Sequence, residues 1–325
     1  MKPKVLAVTK VAVTVLLFYY IFRKIDFHQF GSTLRGAKLD LLIAGFLLLW
    51  IAHFVCIFRW RILMRPLMPL PSVGNLFGIY CIGIFFNMIF PTVIGGDVVK
   101  IYYAGKPSGQ YAKSFASTFL DRDAGMLAMM IIACIAIVIY PAKVPGIKVS
   151  VIIWTVFALF VIGNAGLFSP PLHRLMGDTL LRLGLPRIAR KINVISDAFQ
   201  TIGKHPGKLL WALLISFVNQ LLVISVTWIL AIGLRLQIPL TYFMIFVPVI
   251  TLISMIPISL NGMGLREYSF MSLFGAIGVS PASCIALGLI SSFLLILSSV
   301  PGGIVYIFFK SKTDLGQLAA MESEF

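Results

Sequence analysis

FPTVIGGDVVKIYYAG, residues 90–105, and IPISLNGMGLREYSF, residues 256–270, decide how this sequence folds. Each follows an apolar run, 76–90 or 240–256, that meets a proline, Pro91 or Pro257. Each then passes through a glycine-rich break into an acid–base pair and a second apolar stretch. Irregular backbone in lipid leaves amides without water to bond them, so such a break must be buried in protein or line a wet cavity. The two segments therefore read as re-entrant helical hairpins, one near 76–106 and one near 240–278. Gly95 and Gly96 open the helix after the first break. Gly262 and Gly264, following Asn261, do so after the second. Glycine at these positions lets backbone or headgroup approach closely.

The rest of the chain has the composition of a membrane protein. Of 325 residues, 59% are apolar and 12% charged, against roughly 45–50% and about 25% in soluble domains. A soluble enzyme, a disulfide scaffold and a disordered chain are all excluded. Cys56, Cys81, Cys134 and Cys284 lie within apolar runs at no metal-ligand spacing and read as buried thiols. The net charge of +16 comes from basic residues placed between apolar runs, which argues for basic loops and against nucleic acid. Six runs come close to the roughly 20 residues a spanning helix needs: 5–22, 41–58, 124–140, 149–168, 209–232 and 283–309. The first follows Lys2 and Lys4 with no small-residue cleavage site, so it is expected to remain as a span.

With both hairpins turning back, 19 of the 27 Lys and Arg residues fall on one face and 8 on the other. The positive-inside bias makes the 19-residue face cytoplasmic. The expectation is an all-α polytopic protein of the plasma membrane, with about six full spans and both termini cytoplasmic. The hairpin at Pro91 then opens from the cytoplasm and that at Pro257 from outside, as in an inverted repeat. Paired interrupted segments of this kind point to a substrate site near the midplane. A single integral domain, 1–325, is expected, its halves 1–171 and 209–325 joined by a charged connector, 172–208. In the connector Ile188, Ile192, Ile195, Phe199 and Ile202 form an apolar stripe at helical spacing. That stripe suits either the headgroup layer or the protein's own cytoplasmic face. Trp60, Tyr80, Tyr102, Tyr103, Tyr140 and Trp211 are placed as an interfacial aromatic belt.

Four acids lie beside or inside apolar segments: Asp97, Asp121, Asp123 and Glu267. A charge at the bilayer centre costs roughly 2.5–3.5 kcal/mol on insertion scales, which marks such residues as functional candidates. Asp97 and Lys100 are one helical turn apart, and Arg266 adjoins Glu267. A helix starting after each glycine break also presents free amides and a positive dipole end, an anion site. Lys100 from one side and Arg266 from the other thus suit a phosphate headgroup, with Asp97 and Glu267 holding or releasing them. Ion pairs that lock the hairpins are the other reading, and the two roles can coexist. Asp121–Arg122–Asp123 heads the span at 124–140. Its Asp-x-Asp pattern suggests either carboxylates on a divalent cation or an intraprotein salt bridge, and residues two apart on a helix diverge. No H-E-x-x-H, G-x-S-x-G, P-loop or dinucleotide fingerprint occurs, and no cofactor or metal is expected.

The stretches at 90–105 and 256–270, with STFLDRDAG at 117–125 between them and GVSPASCIAL following, resemble the lysylphosphatidylglycerol synthase transmembrane region, a flippase-like membrane-domain family. The resemblance follows segment order along nearly the whole chain. It implies a multi-helix lipid-translocating domain with two re-entrant elements. It also implies Gly95, Gly96, Asp97, Lys100, Asp121, Arg122, Arg266 and Glu267 as the family's polar positions. Lys100 stands where arginine is commoner, and Asp123 is an extra acid. Aminoacyl-transferring members carry a soluble domain absent from these 325 residues, so transport or lipid binding is expected here, not catalysis. The expected ligand is an anionic phospholipid or a polyprenyl-linked lipid, bound by the residues above together with Asn261, Gly262 and Gly264. A membrane-embedded transferase using Asp121 and Asp123, and a scaffold presenting lipid to a separate lipid-modifying enzyme, are the alternatives.

Overall fold

A computed structural model of the chain describes residues 3–23, 26–90, 94–140, 149–169, 171, 175, 179, 186–256 and 258–309. Pro91, Pro257 and residues 310–325 lie outside the described residues. The described residues are helical, with no strand. The first half holds α1 (Pro3–Arg23), α2 (Phe27–Arg35), α3 (Leu39–Met64), α4 (Val73–Ile89), α5 (Gly95–Gly105), α6 (Tyr111–Ile139) and α7 (Val149–Leu167). Then follow α8 (Pro186–Gly203), α9 (Pro206–Gly233), α10 (Leu240–Ser254), α11 (Leu265–Gly275) and α12 (Pro281–Phe309).

Apolar residues surround the long helices on every side, and only part of each is covered. On α3, Gly45, Leu49, Ala52, Cys56, Arg59 and Leu63 are buried, while Ile43, Leu47, Ile51, Phe54 and Phe58 form an exposed apolar ridge. A soluble protein would not leave such ridges open. They face lipid, and the chain is a multi-pass membrane protein. The five helices α3, α6, α7, α9 and α12 are long and apolar enough to cross. The sixth expected span lies in α1, whose described side chains form a shorter apolar piece, Ala12–Ile21, comparable to α4 and α10. The four cysteines are buried and unpaired.

Both broken segments turn back on themselves. In the first hairpin α5 returns along α4: Gly96 lies against Gly83 and Asn87, and Lys100 against Gly83 and Tyr80. In the second, α11 returns along α10: Phe274 packs on Phe243 and Phe246, at 5.0 and 5.1 Å between ring centroids. Gly262, with φ +73°, closes the turn against Ser254. Helix α12 runs along both hairpins. Its Gly288 and Ser292 touch the tip of the second at Glu267, and its Gly302 and Tyr306 touch the first at Cys81 and Phe86. The tips meet, with Asn261 Nδ2 3.3 Å from Met88 Sδ. The hairpins therefore enter from opposite ends of the bundle.

Helix α3 is antiparallel to α9, with Gly45 on Leu230 at one end and Arg59 bonded to Ser216 at the other. Helix α6 runs parallel to α9: Ala116 shares a cluster with Ala212, and Gln220 donates to the Gly125 carbonyl further along. Helix α8 settles the choice left open for the connector. Its Ala198, Phe199 and Ile202 are buried against Leu63, Leu67, Ala116 and Leu120, so this part of the stripe covers the protein's own helix ends. The side chains of Ile188 and Ile192 lie outside the described residues. The aromatic belt is only partly realised. Tyr140 and Trp211 are exposed, but Trp60, Tyr80, Tyr102 and Tyr103 are buried in one cluster with Met64 and Phe86. Burial of an aromatic ring against the hairpin outweighs an interfacial seat for these four.

Candidate functional site

Where the two hairpin tips meet α3, α6 and α9 there is a cavity of about 320 Å³. Asp97, Lys100, Asp121, Arg122, Asn261 and Arg266, six of the residues selected from sequence, line it. Arg59, Tyr80, Asn87, Gln220, Thr251 and Ser254, not selected for the site from sequence, also line it. The apolar run at 41–58 stops one residue short of Arg59, which places it past the end of a span. Helix α3 continues to Met64, and Arg59 is only 4% exposed. A lone arginine directly ending an apolar run was the available signal.

The Asp121 motif is also displaced from its expected place. It does not head a span: α6 begins ten residues earlier, at Tyr111, so the motif sits within the helix. Hydropathy alone trims 111–123 because of its charges, whereas the fold buries Asp121 and Asp123 against side-chain partners. Asp121 Oδ1 accepts from Arg59 Nε at 2.6 Å, and Arg59 Nη1 donates to Ser216 Oγ at 3.0 Å, joining α6, α3 and α9. Asp123 faces the other way and accepts from Asn164 Nδ2 of α7 at 3.1 Å. The two carboxylates diverge, as residues two apart on a helix must.

In the first hairpin Asp97 pairs with Lys100 at 3.4 Å and also with Arg122 of α6. The Lys100 ammonium lies 4.4 Å from the centre of the Tyr80 ring, a cation–π contact in a buried setting. In the second hairpin Glu267 is fully buried and does not line the cavity. Its carboxylate accepts from the Gly264 amide and from Ser292 Oγ, both at 2.6 Å. Glu267 thus fastens the start of α11 to α12 and does not clamp Arg266. Gly264 itself has φ +81°, which glycine adopts without strain, and it rests on Leu17 of α1. Gly95 fits beneath Phe90.

Two amides expected to attract an anion are already taken. The Gly96 amide donates to Asn87 Oδ1 at 2.8 Å, and the Gly264 amide to Glu267. Side-chain cations carry the cavity's charge instead. Arg59, Lys100, Arg122 and Arg266 face two carboxylates, Asp97 and Asp121. Arg59 is matched by Asp121, and Lys100 and Arg122 share Asp97. Arg266 donates to Ser292 Oγ at 3.3 Å and makes no ion pair among the described residues. The cavity holds an excess of positive charge at membrane depth, a setting that attracts an anion.

Glu267→Ala is expected to cost about 1–3 kcal/mol, because it leaves buried donors unsatisfied. Glu267→Gln, still an acceptor, should recover most of that. Thermal unfolding in detergent measures both, and equal losses would show that the acceptor is not what matters.

Comparison with known proteins agrees with this architecture. A "UPF0104 membrane protein" of Methanothermobacter thermautotrophicus is 25% identical over 293 residues, covering 82% of each chain. No solved structure matches the chain. The family described as "Lysylphosphatidylglycerol synthase TM region" matches residues 7–302, which take in both hairpins, the Asp121 motif and the cavity they enclose. With that match running through nearly every helix, the chain belongs to the lysylphosphatidylglycerol synthase transmembrane-region family.

Proposed function

We propose that this protein carries an anionic lipid headgroup, that of a phospholipid or a polyprenyl-linked lipid, between the leaflets of the plasma membrane. Both termini are then cytoplasmic, a placement that the distribution of basic residues supports. The observation that carries the reading is the cation-rich cavity where oppositely inserted hairpin tips meet. A phosphate crossing hydrocarbon needs desolvated positive charge near the midplane, and Arg266, Lys100 and Arg122 supply it there. The sequence has no P-loop, so movement is downhill, ion-coupled or driven by a partner. A separate lipid-modifying enzyme supplying or consuming the lipid is the partner that fits. Transport is favoured over transfer chemistry because Asp121 and Asp123 diverge and each is already engaged by another side chain.

Reconstitution into vesicles with a nitrobenzoxadiazole-labelled phosphatidylglycerol, followed by dithionite quenching, tests this. Wild-type protein should speed quenching of the inner-leaflet pool. Lys100→Ala combined with Arg266→Ala should slow it at least tenfold, and Arg266→Gln alone should slow it measurably. A wild-type rate equal to that of the double variant, or to protein-free vesicles, overturns the reading.

A further inference from the structure

Helix α9 ends on a residue that its backbone does not favour. The last turn closes as a Schellman cap: the Leu236 amide donates to the Ala231 carbonyl and the Arg235 amide to the Ile232 carbonyl, both at 2.9 Å. The left-handed position of such a cap is usually glycine, which has no Cβ to strain. Here it is Arg235, with φ +60°. Asn261 is the other described non-glycine residue with positive φ, and it lines the polar cavity. The turn between α2 and α3 docks on the same helix end. The Lys38 amide donates to the Gly233 carbonyl at 2.8 Å, and Gly36 lies beside the Arg235 side chain. Lys38 and Arg235 thereby line one open pocket of about 760 Å³, whose wall also includes Trp228, Ile232, Leu236 and Pro239 and contains no acid. Neither cation makes an ion pair among the described residues. No residue of this pocket lines the polar cavity between the hairpin tips.

We infer that this surface pocket binds the phosphate of an anionic phospholipid from the surrounding leaflet, gripped between Lys38 and Arg235. The site goes beyond the transport reading and stands without it. Two cations without a carboxylate partner suit a phosphate, which accepts charge-assisted hydrogen bonds from both. The apolar part of the wall selects a lipid over free phosphate: Ile232 and Leu236 offer surface to the chains, and the Trp228 indole suits the headgroup boundary. Both cations belong to the less basic face, where Lys and Arg are scarce, and Arg235 carries backbone strain as well. A residue that breaks a local rule without a local gain points to a function. The competing use of both residues is to neutralise the carbonyl end of α9, which also attracts cations. Pro239 leads directly into α10. A lipid bound here therefore sits at the entry of the second hairpin and ties the α2–α3 turn to α9.

Photocrosslinking in phosphatidylcholine vesicles tests this with two probes, phosphatidylglycerol and phosphatidylcholine, each with a diazirine beside the glycerol. Peptide mass spectrometry reads the label on residues 228–239. Phosphatidylglycerol should label them several-fold more strongly than phosphatidylcholine does. Lys38→Gln or Arg235→Gln should cut that excess several-fold, and Arg235→Lys should keep most of it. Lys100→Ala combined with Arg266→Ala should leave it unchanged, because neither residue lines this pocket. Millimolar inorganic phosphate should not displace the label. Arg235→Gly relaxes the cap, so its melting temperature in detergent should equal or exceed that of wild type while the excess labelling is lost. Equal labelling by the two lipids, or displacement by inorganic phosphate, overturns the phospholipid assignment. A lower melting temperature for Arg235→Gly with labelling retained assigns Arg235 to the helix end and overturns the site. Loss of labelling in the Lys100→Ala/Arg266→Ala variant ties the signal to the polar cavity and overturns it as well.

Discussion

Asp121→Ala is expected to leave the protein close to unfolded in the membrane. The substitution strands the Arg59 guanidinium, 4% exposed, between α3, α6 and α9 with only the Ser216 hydroxyl as a hydrogen-bond acceptor. Removing one partner of a buried ion pair costs about 3–5 kcal/mol, which is a large share of the roughly 5–15 kcal/mol that stabilises a folded domain. Arg59→Ala should also be harmful, because Asp121 is 6% exposed and loses its ion-pair partner. The double variant Arg59→Met/Asp121→Leu removes both charges at similar volume, and such replacements are often neutral or stabilising. Monodisperse yield and melting temperature in detergent check this. Each single variant should lose most of its folded yield, and the double variant should regain it. A single variant as stable as wild type would show that this pair does not hold the three helices together.

Gly96→Ala is the second large effect. A Cβ on Gly96 would lie 1.9 Å from the Gly83 carbonyl oxygen and 2.6 Å from Asn87 Cγ. The first of these is backbone of the facing helix, so no rotamer change relieves it, and α5 must move away from α4. Overpacking costs about 1–3 kcal/mol when side chains can adjust, and a backbone clash puts this site at the upper end. The movement would also break the Gly96 amide bond to Asn87 and displace Asp97, one residue on, from Arg122 of α6. Transport should therefore fall more steeply than stability. Gly163→Ala in α7 serves as the control, since nothing lies within 4 Å of its added Cβ. Alanine there should be neutral or slightly stabilising, by up to about 1 kcal/mol of helix propensity. Melting temperature and dithionite quenching compare the pair. Equal behaviour of Gly96→Ala and Gly163→Ala would remove the close approach of α4 and α5 from the account.

Residue order and hydropathy were enough to find the helices that carry the fold. The two glycine breaks announced chain reversals, because lipid offers no water to an open backbone, and the structure has α5 folded on α4 and α11 on α10. Asp97, Lys100, Asp121, Arg122 and Arg266 stood out for the same reason: a charge in an apolar run costs energy and needs a use. All five line the cavity.

Hydropathy could not distinguish a charge at a membrane boundary from one buried in a pair. That is why Arg59 falls outside the run at 41–58 and the Asp121 motif reads as a helix start, when Arg59 and Asp121 are partners across 62 positions of sequence. Glu267 shows the same limit from the other side. Its neighbour in sequence is Arg266, but its hydrogen bonds go to the Gly264 amide and to Ser292, 25 residues on. Local pattern determined which segments are helical, which turn back and which charges are exceptional, because those depend on transfer from water to lipid residue by residue. Only the tertiary structure decided which charges neutralise one another and which face the cavity, because pairing is a distance between helices and no property of one segment records it.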